Sequence, residues 1–266
     1  MKRLIMLIIA VLLLTAAAEN SESWLYMVNV GKGDAILIHI NDRTYLIDAG
    51  KAAAWDRVEA ALEKFNITVL DGVFLTHTDK DHSGGLKKLS KSDIEVKSWY
   101  APALDREDNP IIKAAERRDA EVTWLSAGDV VDEVFYVLGP LCYNKTEEND
   151  NSLVMRLVTP CGNVLLTGDM EQTEEATLLA VGTDFSCTVF KVPNHADDDV
   201  CSNALLYRLG AQIALISTDP YEKPGTPDEK LVTRLEALGM EIYRTDLSSG
   251  GILVTFTENG VEVQVD

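Results

Sequence analysis

The sequence is poor in the residues that most often carry metal and redox chemistry: 266 residues hold four histidines and four cysteines. No two cysteines are separated by two residues, which excludes a compact four-thiolate zinc cluster. Cys142, Cys161, Cys187 and Cys201 are even in number and confined to the second half, so three disulfide pairings stand open beside buried free thiols. Basic side chains are also scarce, 24 against 43 acidic ones, for a formal charge of −19. Such a surface repels nucleic acid and anionic membranes at long range and argues against a chain that coats either. Apolar residues are not lacking: at 46% they suffice for a packed core and exclude a disordered chain.

An apolar run long enough to span a bilayer, roughly 20 residues, is absent. The nearest approach is the opening stretch. Lys2 and Arg3 precede an unbroken apolar run over 4–14, and Ala16, Ala17 and Ala18 offer a small-x-small cleavage site. This pattern predicts a signal peptide over 1–18 and one exported domain over 19–266, with no membrane attachment after cleavage. No cysteine follows the run, so no lipid anchor is expected there; an uncleaved N-terminal anchor is the alternative.

Two of the scarce histidines fall together. His77, Asp79, Asp81 and His82 lie within six positions, after the β-prone apolar run 72–76 and before Ser83, Gly84 and Gly85. The run reads as a buried strand and Ser83 as the N-cap of a following helix, so the four side chains sit where a core strand gives way to a helix. Any one of them alone would read as a solvated aspartate or a packed histidine. Imidazole and carboxylate clustered this closely read as a divalent-metal site, suited to zinc and, being rich in oxygen, also to manganese or magnesium.

Strand and helix signals alternate along the rest of the chain. Strands are predicted over 24–30, 34–40 and 44–48, with Asp48 closing the third as either a turn residue or a partner for a metal-bound imidazole. Trp55, Val58, Leu62 and Phe65 recur at helical spacing. Further strands are predicted over 95–100, 121–124 and 134–138, with a helix over 110–118. Strands 152–158 and 163–167 pair around Pro160-Cys161-Gly162 and end at Asp169, the same architectural place as His77. Helix 171–180 leads to strand 187–192 and then His195, while helix 228–238 and strands 241–246, 252–256 and 261–265 finish the chain. His39 alternates with Ile38 and Ile40 and reads as an ordinary strand residue. Lys87, Lys88, Lys91 and Lys97 form a local basic group, either a solvated face or a lure for a phosphate-bearing substrate.

The loop His77-x-Asp79-x-Asp81-His82, followed by Ser-Gly-Gly, resembles the His-x-His-x-Asp-His signature of the metallo-β-lactamase superfamily. Its variant form is similar to the hydrolase domain of the competence protein ComEC and its stand-alone relatives. Segments 28–38, 46–50 and 149–154 are similar to that branch as well, and so are Lys191, Val192 and His195. The chain departs from the pattern at Asn29, Asp79, Asn194, Ala196, Asp197 and Thr226, and it offers no third-motif histidine.

The resemblance implies an α/β fold of the αββα type, two mixed β-sheets face to face with helices on the outer faces. It implies metal ligands at His77, Asp79, Asp81, His82, Asp169 and His195. One site would be built from Asp81, His82, Asp169 and His195, and a thinner one from His77, Asp79 and a shared Asp169. Asp81 and Asp169 become the catalytic candidates, and Asn149, Asp150 and Asn194 are candidates for contacts to substrate, with a turn role equally open for the first two. The implied activity is metal-dependent hydrolysis of a phosphodiester, small or polymeric, DNA included. The alternative, motivated by the departures, is a fold that binds without turnover; a lactamase or thioesterase fits the loop variant less well. The sequence leaves the oligomeric state open.

Overall fold

Side-chain alternation decides the layers. In the strand Ser23–Val28, Leu25 and Met27 face one way, Tyr26 and Val28 the other, and all four are buried. A strand buried on both faces needs a layer on each side. The structure, a computed structural model that describes residues 23–266, provides both; the expected signal peptide lies outside the described residues.

An eight-stranded sheet runs in the order Gly260–Val265, Gly251–Thr257, Ser23–Val28, Ile36–Ile40, Arg43–Ile47, Gly72–Phe74, Trp99–Pro102 and Val122–Leu125. Its pairings are antiparallel as far as Arg43–Ile47 and parallel beyond it. A seven-stranded sheet runs Glu241–Arg244, Ile213–Ile216, Val189–Lys191, Gly162–Leu166, Val154–Thr159, Phe135–Gly139 and Val130–Val131. It is parallel as far as Gly162–Leu166 and antiparallel after that. A small parallel pair, Val69–Leu70 with Glu95–Val96, lies beside the first sheet.

Three apolar clusters account for the stacking. Met27, Ile38, Tyr45 and Phe74 of the first sheet meet Phe135, Met155, Leu166 and Leu215 of the second. Leu37, Val73 and Trp99 turn outward onto Val58 and Leu62 of the helix Trp55–Lys64 and Ile111 of Pro110–Glu116. Leu165, Phe190 and Ile216 turn outward onto helices Gln172–Ala180, Asn203–Leu209 and Glu229–Ala237. The result is the αββα sandwich expected. Each buried Leu, Ile or Phe contributes about 1.5–3 kcal/mol.

Most element ends shift by a residue or two from the sequence pattern, but the strand expected over 95–100 breaks into Glu95–Val96 and Trp99–Pro102, which pair in different sheets. Phe65 caps its helix and stacks on Trp24 with ring centroids 4.3 Å apart. His39 sits on a strand, as expected, and also stacks on Trp24, with ring centroids 5.6 Å apart. All four cysteines are free, with Cys187 and Cys201 buried. Lys87 and Lys88 are exposed on the short helix Leu86–Leu89, and Lys97 is held by Asp71 at 2.8 Å. The arrangement that matters for function lies at the carboxyl ends of the parallel strands. Asp48, His77, Asp169, His195 and Ser217 each follow one such strand, the position at which open α/β sheets gather ligands.

Candidate metal centre

Asp48 anchors the site. It adopts a left-handed backbone (φ 57) after its strand, which turns the carboxylate back into the protein. Its Oδ1 accepts from Thr76 N–H at 2.8 Å, and its Oδ2 accepts from the Thr76 hydroxyl at 2.7 Å. Held this way, residues 76–79 lead into a single helical turn, Lys80–Ser83. The turn starts earlier than the sequence suggests: Asp79 precedes it, and Ser83 ends it, donating its hydroxyl to Thr78 O at 2.8 Å. Ser83 is therefore not the N-cap, because the metal loop itself supplies the first helical residues. Gly84 and Gly85 follow where the turn lies flush on the Ala49–Ala52 backbone. A Cβ on Gly85 would come 2.1 Å from Ala49 O, and one on Gly84 would come 2.6 Å from Ala52 N.

The second sheet delivers the other half. Asp169 follows Gly168 (φ 52), and its N–H donates to Ser152 Oγ at 3.0 Å. His195 lies in a run of three left-handed non-glycine residues, Asn194 (φ 41), His195 (φ 56) and Ala196 (φ 61). Each such residue costs on the order of 1 kcal/mol or more, strain that characteristically gathers at functional sites.

All three imidazoles present the same edge. His82 Nδ1 donates to Asp48 Oδ2 at 2.7 Å. His195 Nδ1 lies 2.9 Å from Ser217 O, a carbonyl that can only accept. His77 Nδ1 lies 3.1 Å from Thr76 Oγ1, whose own proton is committed to Asp48. These partners assign the proton to Nδ1 in each ring and leave Nε2 free. The Nε2 atoms of His77, His82 and His195 are buried without a hydrogen-bond partner, and so is Asp169 Oδ1. Nothing in a well-packed interior leaves four such atoms unmatched without a reason.

His82 Nε2 and His195 Nε2 converge with Asp169 and Asp81, while His77 stays outside that group. Asp169 Oδ2 lies 3.2 Å from His82 Nε2 and 3.0 Å from His195 Nε2, close but out of line for hydrogen bonding. Asp81 Oδ2 lies 3.6 Å from His195 Nε2. One ligand atom from each of Asp81, His82, Asp169 and His195 falls within 4.8 Å of the others. Two imidazoles and two carboxylates in that space fit a divalent cation such as zinc or manganese. This is the four-residue set expected for the firmer site.

The charges act on one another strongly. Burial alone would strip the proton from His82, but the Asp169 and Asp48 carboxylates hold it well above the ordinary imidazole range. His195 is raised likewise against burial by Asp169 and Asp81. Burial opposes ionisation of Asp169, yet His195 and His82 hold it well below the carboxylate range. His77 goes the other way: burial, with His82 beside it, lowers its pKa.

The thinner site is thinner still. His77 packs beside His82, with ring centroids 4.2 Å apart, but Asp79 is half exposed and its nearest oxygen is 3.9 Å from His77 Nε2. Asp79 stays outside the four-residue cluster. Asn149 and Asn194, expected near substrate, come together on one oxygen of Glu171, at 2.6 and 2.8 Å. Asp150 is buried and accepts from Glu171 and Glu174 N–H at 3.2 and 3.1 Å, so it caps the helix Gln172–Ala180.

Four residues with no role foreseen complete the site. Asp34 is buried against Lys191 Nζ at 2.9 Å, and it accepts the Ser217 hydroxyl, which in turn sits 3.1 Å from His195 Nδ1. Asp34 and Asp48 also lie near His82, but both are spent on these partners and support the imidazoles. Lys32 Nζ lies 2.6 Å from Asp81 Oδ2. Its neighbours in the Gly31-Lys32-Gly33-Asp34 turn are glycines at positive φ, a signal of close packing that carries no hint of what the turn packs against.

The Metallo-beta-lactamase superfamily matches residues 28–219, a span that includes every cluster residue. The chain belongs to the metallo-β-lactamase superfamily. Among relatives of this member, ComE operon protein 3 of Bacillus subtilis is 27% identical over 252 residues, covering 85% of this chain and 32% of that protein. Competence protein ComA of Neisseria gonorrhoeae is 28% identical over 250 residues, covering 93% of this chain and 34% of the other. The chain thus spans about a third of the length of the curated relatives it matches. Among solved structures, the metallo-β-lactamase fold protein YhfI from Bacillus subtilis superposes with a TM-score of 0.60 at 13% identity, covering 88% of this chain and 99% of that one. Zn(2+)-bound PqqB from Methylobacterium extorquens does so at 0.56 and 11% identity, covering 83% and 97%. Membership brings with it the metallo-hydrolase fold and implies a divalent cation, and the four-residue cluster is a group of side chains that could hold one. Among the described residues no helix is long and apolar enough to cross a membrane.

Proposed function

We propose that this protein is an exported metal-dependent phosphodiesterase, with residues 1–18 directing export and 19–266 acting as one catalytic unit. The observation that carries the reading is the buried, unpartnered set of Nε2 atoms and Asp169 Oδ1 beside Asp81. His82, His195, Asp169 and Asp81 hold one divalent cation, with zinc and manganese both suited to two nitrogen and two oxygen ligands. That cation supplies Lewis acidity, polarising the ester and making water nucleophilic near neutral pH. The chain's own residues do the remainder. Asp48 and Ser217 fix the imidazoles by their Nδ1 protons. Asp81 is the one member of the set that reaches partly into solvent, at 17% side-chain exposure, and it orients the attacking water and takes up its proton. Asn149 and Asn194, tied through Glu171, line the approach for substrate.

Phosphodiesters are favoured because the loop variant, and part of the later motifs, resemble those of the ComEC branch. The surplus of acidic residues disfavours a broad nucleic-acid-coating surface, so a DNA substrate would be engaged at the site alone. The test combines elemental analysis of the purified protein with a chromogenic phosphodiester assay in added zinc or manganese. Turnover that is lost in Asp81→Ala and Asp169→Ala with folding intact supports the reading. A second reading, binding without turnover, draws on the retreat of Asp79 from the cluster, which leaves His77 with little to share; metal uptake without turnover on phosphodiesters, lactams or thioesters would favour it.

A further inference from the structure

We infer that Lys32 is the residue that binds the substrate's phosphoryl oxygen and selects anionic over neutral esters, an inference that rests on the phosphodiesterase reading. The Gly31-Lys32-Gly33 turn packs its Gly33 end directly on the Asp81 backbone, with the Glu222 side chain against its Gly31 end. A Cβ on Gly33 would lie 2.4 Å from Asp81 O, and one on Gly31 would lie 2.8 Å from the Glu222 carboxylate. Asp34 N–H donates to Asp81 O at 3.2 Å, and Lys32 N–H to Glu222 Oε2 at 3.0 Å. The backbone that follows Lys32 is therefore fixed to Asp81. Its ammonium sits 2.6 Å from Asp81 Oδ2, with 21% of the side chain exposed, facing both the cluster and solvent.

Charge balance says what that ammonium does. Lys191 cancels Asp34, and Glu222 engages Lys51. Asp48, Asp81 and Asp169 remain beside neutral metal-binding imidazoles, with Asp79 at the rim 3.9 Å from His77 Nε2, so one divalent cation leaves the site net negative. A phosphodiester anion entering a half-buried site of that sign would be repelled. Lys32 offsets one of those charges at the carboxylate it touches, Asp81. A cation ligated by Asp81 also weakens the carboxylate's hold on the ammonium, freeing N–H donors at the position an incoming phosphoryl oxygen must take.

The test uses the full-length protein loaded with manganese, as wild type, Lys32→Met and Lys32→Arg. Inorganic phosphate is titrated by calorimetry, and steady-state rates are read on bis(p-nitrophenyl) phosphate and on neutral p-nitrophenyl acetate. Metal stoichiometry should be the same in all three proteins. Phosphate affinity should fall about ten- to hundredfold in Lys32→Met, the worth of one charge-assisted hydrogen bond, and be largely recovered in Lys32→Arg. KM for the phosphodiester should rise in parallel, and by at least about tenfold more than KM for the neutral ester. Phosphate affinity unchanged in Lys32→Met, no phosphate binding by the wild type, or equal losses on both esters would overturn the inference. Wild-type protein that binds phosphate through Lys32 yet hydrolyses no phosphodiester would defeat the phosphodiesterase reading alone.

Discussion

Asp48 Oδ2 accepts from both His82 Nδ1 and the Thr76 hydroxyl, each at 2.7 Å, with Asp48 and His82 fully buried. One carboxylate oxygen thus sets the angle of a metal-facing imidazole and the path of the loop that carries it. Asp48→Asn tests this cleanly, since asparagine tolerates the left-handed backbone but has a single acceptor oxygen. Metal affinity, read by chelator competition, should drop about 10–100-fold, the usual effect of losing a carboxylate behind a histidine ligand. An affinity equal to the wild type's would show that His82 is oriented by packing.

Gly85 is constrained by space and not by backbone angle, because Ala49 O lies 2.1 Å from where its Cβ would be. Ala49 N–H also donates to His82 O at 2.8 Å, so the residue that Gly85 crowds also holds the His82 backbone. Gly85→Ala should cost about 1–3 kcal/mol in chemical denaturation, as overpacking does, and should weaken metal binding as well. Loss of stability with metal affinity intact would mean that the loop can shift without carrying its imidazole along.

These two positions show how unevenly the sequence disclosed the molecule. The cluster is legible because histidine is scarce and its members follow strands whose apolar character is plain. Asp79 was not legible. It lies in the motif, but its extended backbone before the helical turn (φ −57, ψ 146) aims it outward, and motif spacing says nothing of that angle. Ser83 misled for a related reason: a strong capping residue does not cap when the helix has already begun. Asp150 was read as a residue for substrate or turn, and the structure spends it on a helix whose N-terminus lies some twenty positions later. Lys32 and Asp34 lie in a glycine-rich turn without periodicity, where long-range packing alone assigns a role.

A buried carboxyl outside the site gives the protein a pH signature. Burial pushes Glu174 up to about 7, against the hydrogen bond it accepts from Leu141 N–H. The folded state therefore holds a proton that the unfolded chain releases near the ordinary glutamate value. This contribution to stability is fully present below about 4.5, declines as pH rises to about 7, and is absent above it. Glu174→Gln keeps an acceptor for Leu141 and removes the charge. It should flatten the fall in stability between those values and gain on the order of 1 kcal/mol at pH 8. Parallel stability–pH profiles for the two proteins would refute the assignment.

Lys191 and Asp34 form an ion pair 2.9 Å long with side-chain exposures of 1% and 2%, and it stands directly behind His195 through Ser217. Removing one partner strands the other charge away from water. Lys191→Met should therefore lose about 3–5 kcal/mol, the cost typical of breaking a buried pair. Asp34→Asn in the same chain removes the stranded charge and keeps an oxygen for the Ser217 hydroxyl, so the double variant should recover much of the loss. The coupling between the two substitutions should be about 1–3 kcal/mol in a double-mutant cycle. Metal affinity then separates two roles. His195 Nδ1 keeps its bond to Ser217 O in the double variant, so if the pair serves only the fold, the refolded protein binds metal nearly as the wild type does. If affinity instead stays low while stability returns, the buried charges act on His195 itself, and the support behind the imidazole is electrostatic as well as geometric.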